Sequence, residues 1–431
     1  MTIEDIIIWI GTNILQNPAI LLGLVALIGL SLQKKPFNEI VSGTIKVMIG
    51  VVLMLAGAGL FVNELVNFQN IVYAATGASP QYPPNYVPMN TLISTYGSYA
   101  VTVMTLGFIL HLIIVRLIPV FRHVYLTGHL MWWVSLLVVA TILTVNPKAS
   151  MWQVVLIGSI VMALYWTIQP KYMHGAMKTL TGSEEIGYAH TSSLVAWIGF
   201  KVGKYIGRPE ESTEELKIPE SISFFKDYSI STAIILGLIM VIASIIGLFK
   251  APETVAGLTG GLNPIVWAII RGLYFAAAIV VLLTGVKIFV GEIIPAFKGI
   301  SEKVIPGAIP AVDCPVVFPY APTAVIIGFI SGLIVFLVMM AVFMWTGFSV
   351  IVPPMIMLFF PGGAAAVFGN KTGGWKGAVF AGALNGFILA IGQALGLKVL
   401  TYGPELATLG DPDWYAIVLI LMLILKPIFG S

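Results

Sequence analysis

The sequence predicts an all-α integral membrane protein of about eleven helical spans, and two observations carry that reading. Hydrophobic residues make up 58% of the 431-residue chain and charged residues only 10%, against about 25% charged in a typical soluble domain. So few charges cannot cover so much apolar surface in water. Apolar stretches of about 20 residues also recur along the whole length, each long enough to cross a hydrocarbon core of about 30 Å.

The elements follow in order. Residues 3–16 form an amphipathic helix, broken by Pro18 from a short first span at 18–33. Further spans are expected at 38–66, 92–117, 123–146 and 149–170, then, after a polar stretch at 171–227, at 228–249, 264–294, 321–347, 350–368, 376–399 and 412–430. Met1 to Gln33 lacks a basic leader and a small-residue cleavage pattern, so it reads as mature sequence. No polar stretch is long enough for a separate soluble domain, and the whole chain, 1–431, is expected to be one transmembrane domain.

Basic residues orient the bundle. Lys34, Lys35, Arg116, Arg122, Lys298, Lys303, Lys371 and Lys376 lie in alternate loops, and the polar stretch adds Lys171, Lys178, Lys201, Lys204, Arg208, Lys217 and Lys226. With Lys426, sixteen of the 22 basic residues fall on one side, which is read as the cytoplasm. The N-terminus is then outside and the C-terminus inside, as an odd number of spans requires. A net charge of +3, widely scattered, gives no reason to expect a nucleic-acid partner.

The chain also repeats itself. AGAGLFVNEL at 56–65 returns as TGVKIFVGEI at 284–293, and Gly107, Phe108 and Ile109 return as Gly328, Phe329 and Ile330. Loop charges send the span of Glu64 outward and that of Glu292 inward, so the repeat is inverted, with halves at about 18–200 and 228–400, a cytoplasmic loop at about 201–227 and a final span at 412–430. Inverted halves are typical of secondary transporters, with the substrate near the midplane. Glu64 and Glu292 stand at corresponding ends of the repeated spans and read as capping or pairing groups first, substrate contacts second.

Ionisable groups within hydrocarbon are costly and usually functional. Asp313 lies in IPAVDCPVVFPYAPTA, whose prolines forbid a continuous helix although the segment is too apolar for an ordinary loop. Broken backbone at membrane depth must line a cavity or be covered by protein. Asp313 can therefore accept from sugar hydroxyls, or else cap the following helix. A second irregular region follows Trp166 and reads as a re-entrant segment ending near Lys201, with His190, Thr191, Ser192 and Ser193 at its tip; a surface loop is the alternative. His129 lies within a span and should face the bundle interior, where Trp132 and Trp133 offer either an apolar face to a sugar ring or part of an interfacial aromatic belt. Cys314, the single cysteine, is read as excluding an internal disulfide framework and any thiol-based zinc site. No phosphate-binding loop, HExxH or nucleophile elbow occurs, and no metal or cofactor is expected. A channel is the competing class.

Several stretches in order carry a family resemblance: GTIKVMIGVVLMLAGAG at 43–59, LTGH at 126–129, ALYW at 163–166, AWIGFKVGKYIGRPEESTEELKIP at 196–219, AFKGISEKVIPGAIPAVDC at 296–314 and GGWKGA at 373–378. In these the chain resembles the L-ascorbate-type enzyme IIC, the membrane permease subunit of the phosphoenolpyruvate-dependent sugar phosphotransferase system of bacteria, within the ascorbate/galactitol superfamily. The resemblance implies a homodimer in the cytoplasmic membrane, an elevator-like movement of a substrate-binding core, and phosphorylation of the sugar by a phosphocysteine on a separate cytoplasmic IIB protein. It leaves this chain no phosphoryl-transfer residue of its own. Carried over by position, the family's ligand aspartate is Asp313, its two site histidines are His129 and His190, and a tyrosine aligns loosely with Tyr86. The sequence departs from the pattern at Trp133 and Thr191, where the family has glutamine, and at Ala58, where it has serine. These changes are expected to shift the preferred solute toward a related small sugar, acid or polyol. A carrier of the same fold uncoupled from phosphorylation is the variant reading.

Overall fold

A computed structural model describes residues 2–77, 82–216, 220–221, 224 and 227–429. Lys217 and Lys226, counted above among the cytoplasmic cations, lie outside the described residues. The helices are α1 (Ile3–Ile10), α2 (Pro18–Leu32), α3 (Phe37–Thr76), α4 (Met89–Leu117), α5 (Gly128–Val145), α6 (Met151–Thr181) and α7 (Ser193–Ile206). They continue with α8 (Tyr228–Lys250), α9 (Pro252–Thr259), α10 (Pro264–Lys303), α11 (Pro322–Thr346), α12 (Met355–Val399) and α13 (Pro412–Phe429). Three short strands, β1 (His123–Tyr125), β2 (Gly187–Tyr188) and β3 (Ile309–Val312), complete the chain.

The fold is that of an all-α membrane protein. Among the described residues, nine helices are long and apolar enough to cross a membrane, ten if the pair Ile3–Leu15 and Pro18–Leu32 counts as one bent span. That pair turns by 91° at the break before Pro18. The expected spans 350–368 and 376–399 correspond to the two arms of α12, two helices joined across a kink at Gly374, and the count of nine or ten takes α12 as one. Gly374 interrupts it with φ 58° and ψ −151°, a conformation that only glycine adopts at low cost. The two arms fold back on each other. Asn385 donates to the Met357 carbonyl at 3.2 Å, and a methyl group on Gly369 would stand 2.3 Å from the Gly377 carbonyl oxygen.

Several helices outrun their expected ends. α3 continues to Thr76, α10 to Lys303 and α6 to Thr181, eleven residues past the expected end at 170. α6 passes through Pro170, which sits mid-helix and buried. Expected span 123–146 starts instead as strand β1, and α5 begins only at Gly128.

α3 and α10 pack antiparallel at backbone distance. A methyl group on Gly57 would lie 2.3 Å from the Leu282 nitrogen, and one on Gly285 would lie 2.2 Å from the Met54 nitrogen. A shift of 228 residues exchanges the two contacts, 57 with 285 and 54 with 282. Ion pairs close both ends: Glu64 with Arg271 at 3.1 Å, and Glu292 with Lys46 at 3.1 Å. Both glutamates therefore stabilise the helix pair, and neither lines the central cavity described below.

The strands, which sequence reasoning missed, form a parallel sheet in the order β1-β3-β2. Register pairs His123 with Ile309, Tyr125 with Ala311, and Gly187 with Ala311. Pro310 is an unusual residue for a central strand, since it has no N–H to give. Its neighbour Ile309 donates toward β1, to the Arg122 carbonyl at 2.7 Å, so the nitrogen of Pro310 faces the other side. β2 pairs there only from Ala311 onward, and no bond is lost.

Candidate functional site

Each strand ends by releasing the chain into one cavity. β1 runs into Leu126 and Thr127, whose N–H and hydroxyl bind the carbonyls of Ala311 and Ala189 at 2.9 and 2.6 Å; His129 follows on the first turn of α5. β2 runs into Ala189, bonded to the Val312 carbonyl at 2.8 Å, and His190 follows. β3 runs directly into Asp313. The sheet thus fixes three side chains from distant segments, chiefly through backbone bonds. His111 anchors it from beside: its Nε2 accepts from the Tyr125 N–H at 3.1 Å, while Nδ1 meets the Thr167 hydroxyl at 2.9 Å.

Asp313 stands at the centre. His190 Nε2 is 3.6 Å from one carboxylate oxygen and His129 Nε2 is 3.7 Å from the other. The Ser192 N–H donates to His190 Nδ1 at 3.1 Å, so Nδ1 is the acceptor and the ring proton sits on Nε2, directed at Asp313. Separations of 3.6–3.7 Å are longer than a direct hydrogen bond, and a small polar molecule in the cavity can engage the groups on both sides. Asp313 also caps the short helix Cys314–Tyr320, accepting from the Cys314 N–H at 2.7 Å. The two readings of Asp313 are therefore compatible in geometry.

The cavity measures about 380 Å³. His129, His190, Asp313 and Asp411 give it a polar end, and Met54, Trp133, Ile356, Phe360 and Trp414 give it an apolar wall. Ala58 and Trp133, where the sequence departs from the family pattern, both line it, so those departures fall on the wall itself. Thr191 does not: its hydroxyl is turned to Asp411, and its carbonyl accepts from the Asp413 N–H at 2.9 Å. Tyr86 packs its ring against that of Tyr82, tilted by 40°, beside the Val87–Tyr402 bridge and is not among the lining residues.

Two aspartates at the start of α13 complete the arrangement, and sequence reasoning overlooked them. Asp411 approaches His190 Nδ1 at 3.8 Å. Asp413 accepts from the Leu194 N–H at 3.0 Å, from the Tyr165 hydroxyl at 2.8 Å and from the Ser193 hydroxyl, which caps α7 and places a carboxylate at its N-terminus. The signal was present: GDPDW puts two acids at the mouth of an apolar span, where burial without partners would be costly.

A second, polar cavity of about 550 Å³ lies against the opposite ends of the strands, lined among others by Arg122, His123, Lys171, His174, Lys298 and Pro310. Just outside the helices there, the Lys178 ammonium beside Glu184 holds its carboxyl below the usual range.

Comparison with known proteins gives two findings. Residues 13–412 match the EIIC-GAT family model, described as a PTS system sugar-specific permease component. The chain is also 27% identical, over 93% of its length and 68% of the other's, to a protein of Mycoplasma pneumoniae named ascorbate-specific PTS system EIIC component.

Proposed function

The chain belongs to the EIIC-GAT family of sugar-specific permease components, and from that premise we propose that its central cavity binds L-ascorbate or a related small sugar, sugar acid or polyol for delivery to a cytoplasmic IIB phosphocarrier. The protein is a membrane IIC transport component. Convergence of three interrupted segments on one cavity is the observation that carries the reading: His129, His190 and Asp313 meet where lipid-exposed polar backbone is not tolerated. A volume of about 380 Å³ suits a monosaccharide-sized ligand.

In this reading Asp313 accepts from solute hydroxyls, the Nε2–H of His190 donates, and His129 supplies a second imidazole. Trp133 and Phe360 cover the apolar face of the ring. Thr191 and Asp413 position the histidine rather than touch the solute, while Asp411, at the polar end of the cavity beside His190, stands within reach of it. With Ala58 and Trp133 in place of hydroxyl and amide, fewer polar groups face the solute, which favours a ligand with one apolar face. Family membership supports a IIB partner, a homodimer, an N-terminus outside the bacterial cytoplasmic membrane, and an elevator-like movement of the cavity against the α3–α10 pair. The contacts that exchange under the 228-residue shift support inverted halves at about 18–200 and 228–400.

The test is equilibrium binding of ascorbate, pentitols, hexitols and pentoses to the purified chain, repeated with Asp313→Asn. Removing a charged acceptor is expected to weaken the preferred solute by about 1.5–3 kcal/mol, roughly ten- to a hundredfold. Unchanged affinity in the variant would remove Asp313 from the site. Absence of binding by all four classes would remove the substrate assignment.

A further inference from the structure

We propose that His190, Asp313 and Cys314 form a binding site for a borderline divalent cation of the zinc class at the polar end of the cavity. The sequence places the histidine more than a hundred residues from the Asp-Cys pair, so no ligand spacing announces such a site. β2 and β3 bring them together by register, Tyr188 opposite Val312, with His190 two residues beyond one and Asp313 and Cys314 immediately beyond the other. One ligand atom from each of the three lies within 4.8 Å of the other two.

Bond lengths of 2.0–2.3 Å around tetrahedral zinc separate neighbouring ligand atoms by about 3.4–3.7 Å. His190 Nε2 and Asp313 Oδ1 already stand 3.6 Å apart. Bringing the thiol to the same spacing takes at most about 1.3 Å of side-chain movement. His129 Nε2 stands 3.7 Å from the second oxygen of Asp313 and is not one of the three clustered ligands.

The donor set selects the metal. Thiolate and imidazole suit zinc, cobalt and cadmium, whereas magnesium and calcium require oxygen ligands throughout. Binding displaces two protons from the donor atoms. The Cys314 thiol loses one to solvent. Nε2 of His190 gives up the other to Nδ1 in a tautomer shift, and Nδ1–H then donates a hydrogen bond to the Ser192 hydroxyl at 2.9 Å, at the expense of the Ser192 N–H contact. A cation held there occupies the groups assigned above to the solute, so metal and solute compete.

Cobalt(II) tests the site directly on the full-length purified chain, because Cys314 is the only thiol and any thiolate-to-cobalt charge-transfer band must come from it. The expected result is a band that saturates with cobalt and is displaced by zinc. Cys314→Ala abolishes it, and His190→Ala or Asp313→Asn each weakens apparent cobalt affinity at least about tenfold. A wild-type chain with no band overturns the proposal without reference to any variant, and so does a band indifferent to His190→Ala. Neither result bears on sugar binding, which the Asp313→Asn titration reads separately.

Discussion

Asp413→Ala tests how the tip of the re-entrant segment is held. The carboxylate is 3% exposed and accepts three hydrogen bonds, from the Leu194 N–H, the Tyr165 hydroxyl and the Ser193 hydroxyl. Ser193 keeps a partner after truncation, since its hydroxyl also meets that of Tyr172. Leu194 and Tyr165 do not. The Leu194 N–H lies in the first turn of α7, where no intrahelical acceptor exists. Two donors of part-buried bonds left without partners cost about 1–3 kcal/mol each, or about 2–6 kcal/mol together. The loss falls on the start of α7 and on His190, three residues before it. Amide hydrogen exchange reads it best at Ala196, whose own bond to the Ser192 carbonyl at 3.0 Å is untouched by the substitution. Opening of the helix start should become at least about thirtyfold more frequent, the equivalent of about 2 kcal/mol. Asp413→Asn, which keeps an acceptor oxygen, should cost about 1 kcal/mol. Exchange at Ala196 unchanged in Asp413→Ala would refute the assignment of the aspartate as the anchor of this segment.

Two further predictions concern the α3–α10 pair. Gly57→Ala and Gly285→Ala should destabilise to similar extents, about 1–3 kcal/mol each, because each methyl group meets backbone nitrogen at 2.3 and 2.2 Å; Gly59→Ala, with nothing within 4 Å, is the neutral control in thermal unfolding. Equal midpoints for all three would remove the close approach. Glu64→Gln should lower the unfolding midpoint well beyond Glu292→Gln, since Glu64 is buried beside Arg271 whereas the Lys46–Glu292 pair, with side chains 55% and 33% exposed, is screened by solvent and worth about 1 kcal/mol at most. The reverse order would contradict the burial assigned to the two ends.

Much of the fold was legible because lipid imposes a strong constraint on sequence. Apolar length gave the spans, and Pro18 gave the bend between the first two helices. Prolines around Asp313 and the hydroxyl-rich stretch around His190 marked the two irregular regions, and the structure brings both to one cavity with His129. The strands were not legible, since runs of two to four residues such as Gly187–Tyr188 carry no periodicity to detect. Pro170 suggested an end for α6 that packing overrides. Asp411 and Asp413 were missed because GDPDW also reads as an ordinary polar loop opening a span, and their partners lie more than two hundred residues away, at Thr191, Ser193 and Leu194. Thr191, named as a contact, sits one residue from His190 but faces the other way, a distinction that only backbone direction decides.

The small sheet has a consequence for movement. One end of its strands borders the cavity of about 380 Å³ and the other borders the polar cavity of about 550 Å³, so at β3 four residues run from one to the other. Interstrand bonds knit the sheet from segments near residues 124, 188 and 311, and shifting any one strand alone would strip bonds from the others. The three side chains at its rim are therefore held to one body: any rearrangement that keeps the sheet intact moves them as a unit.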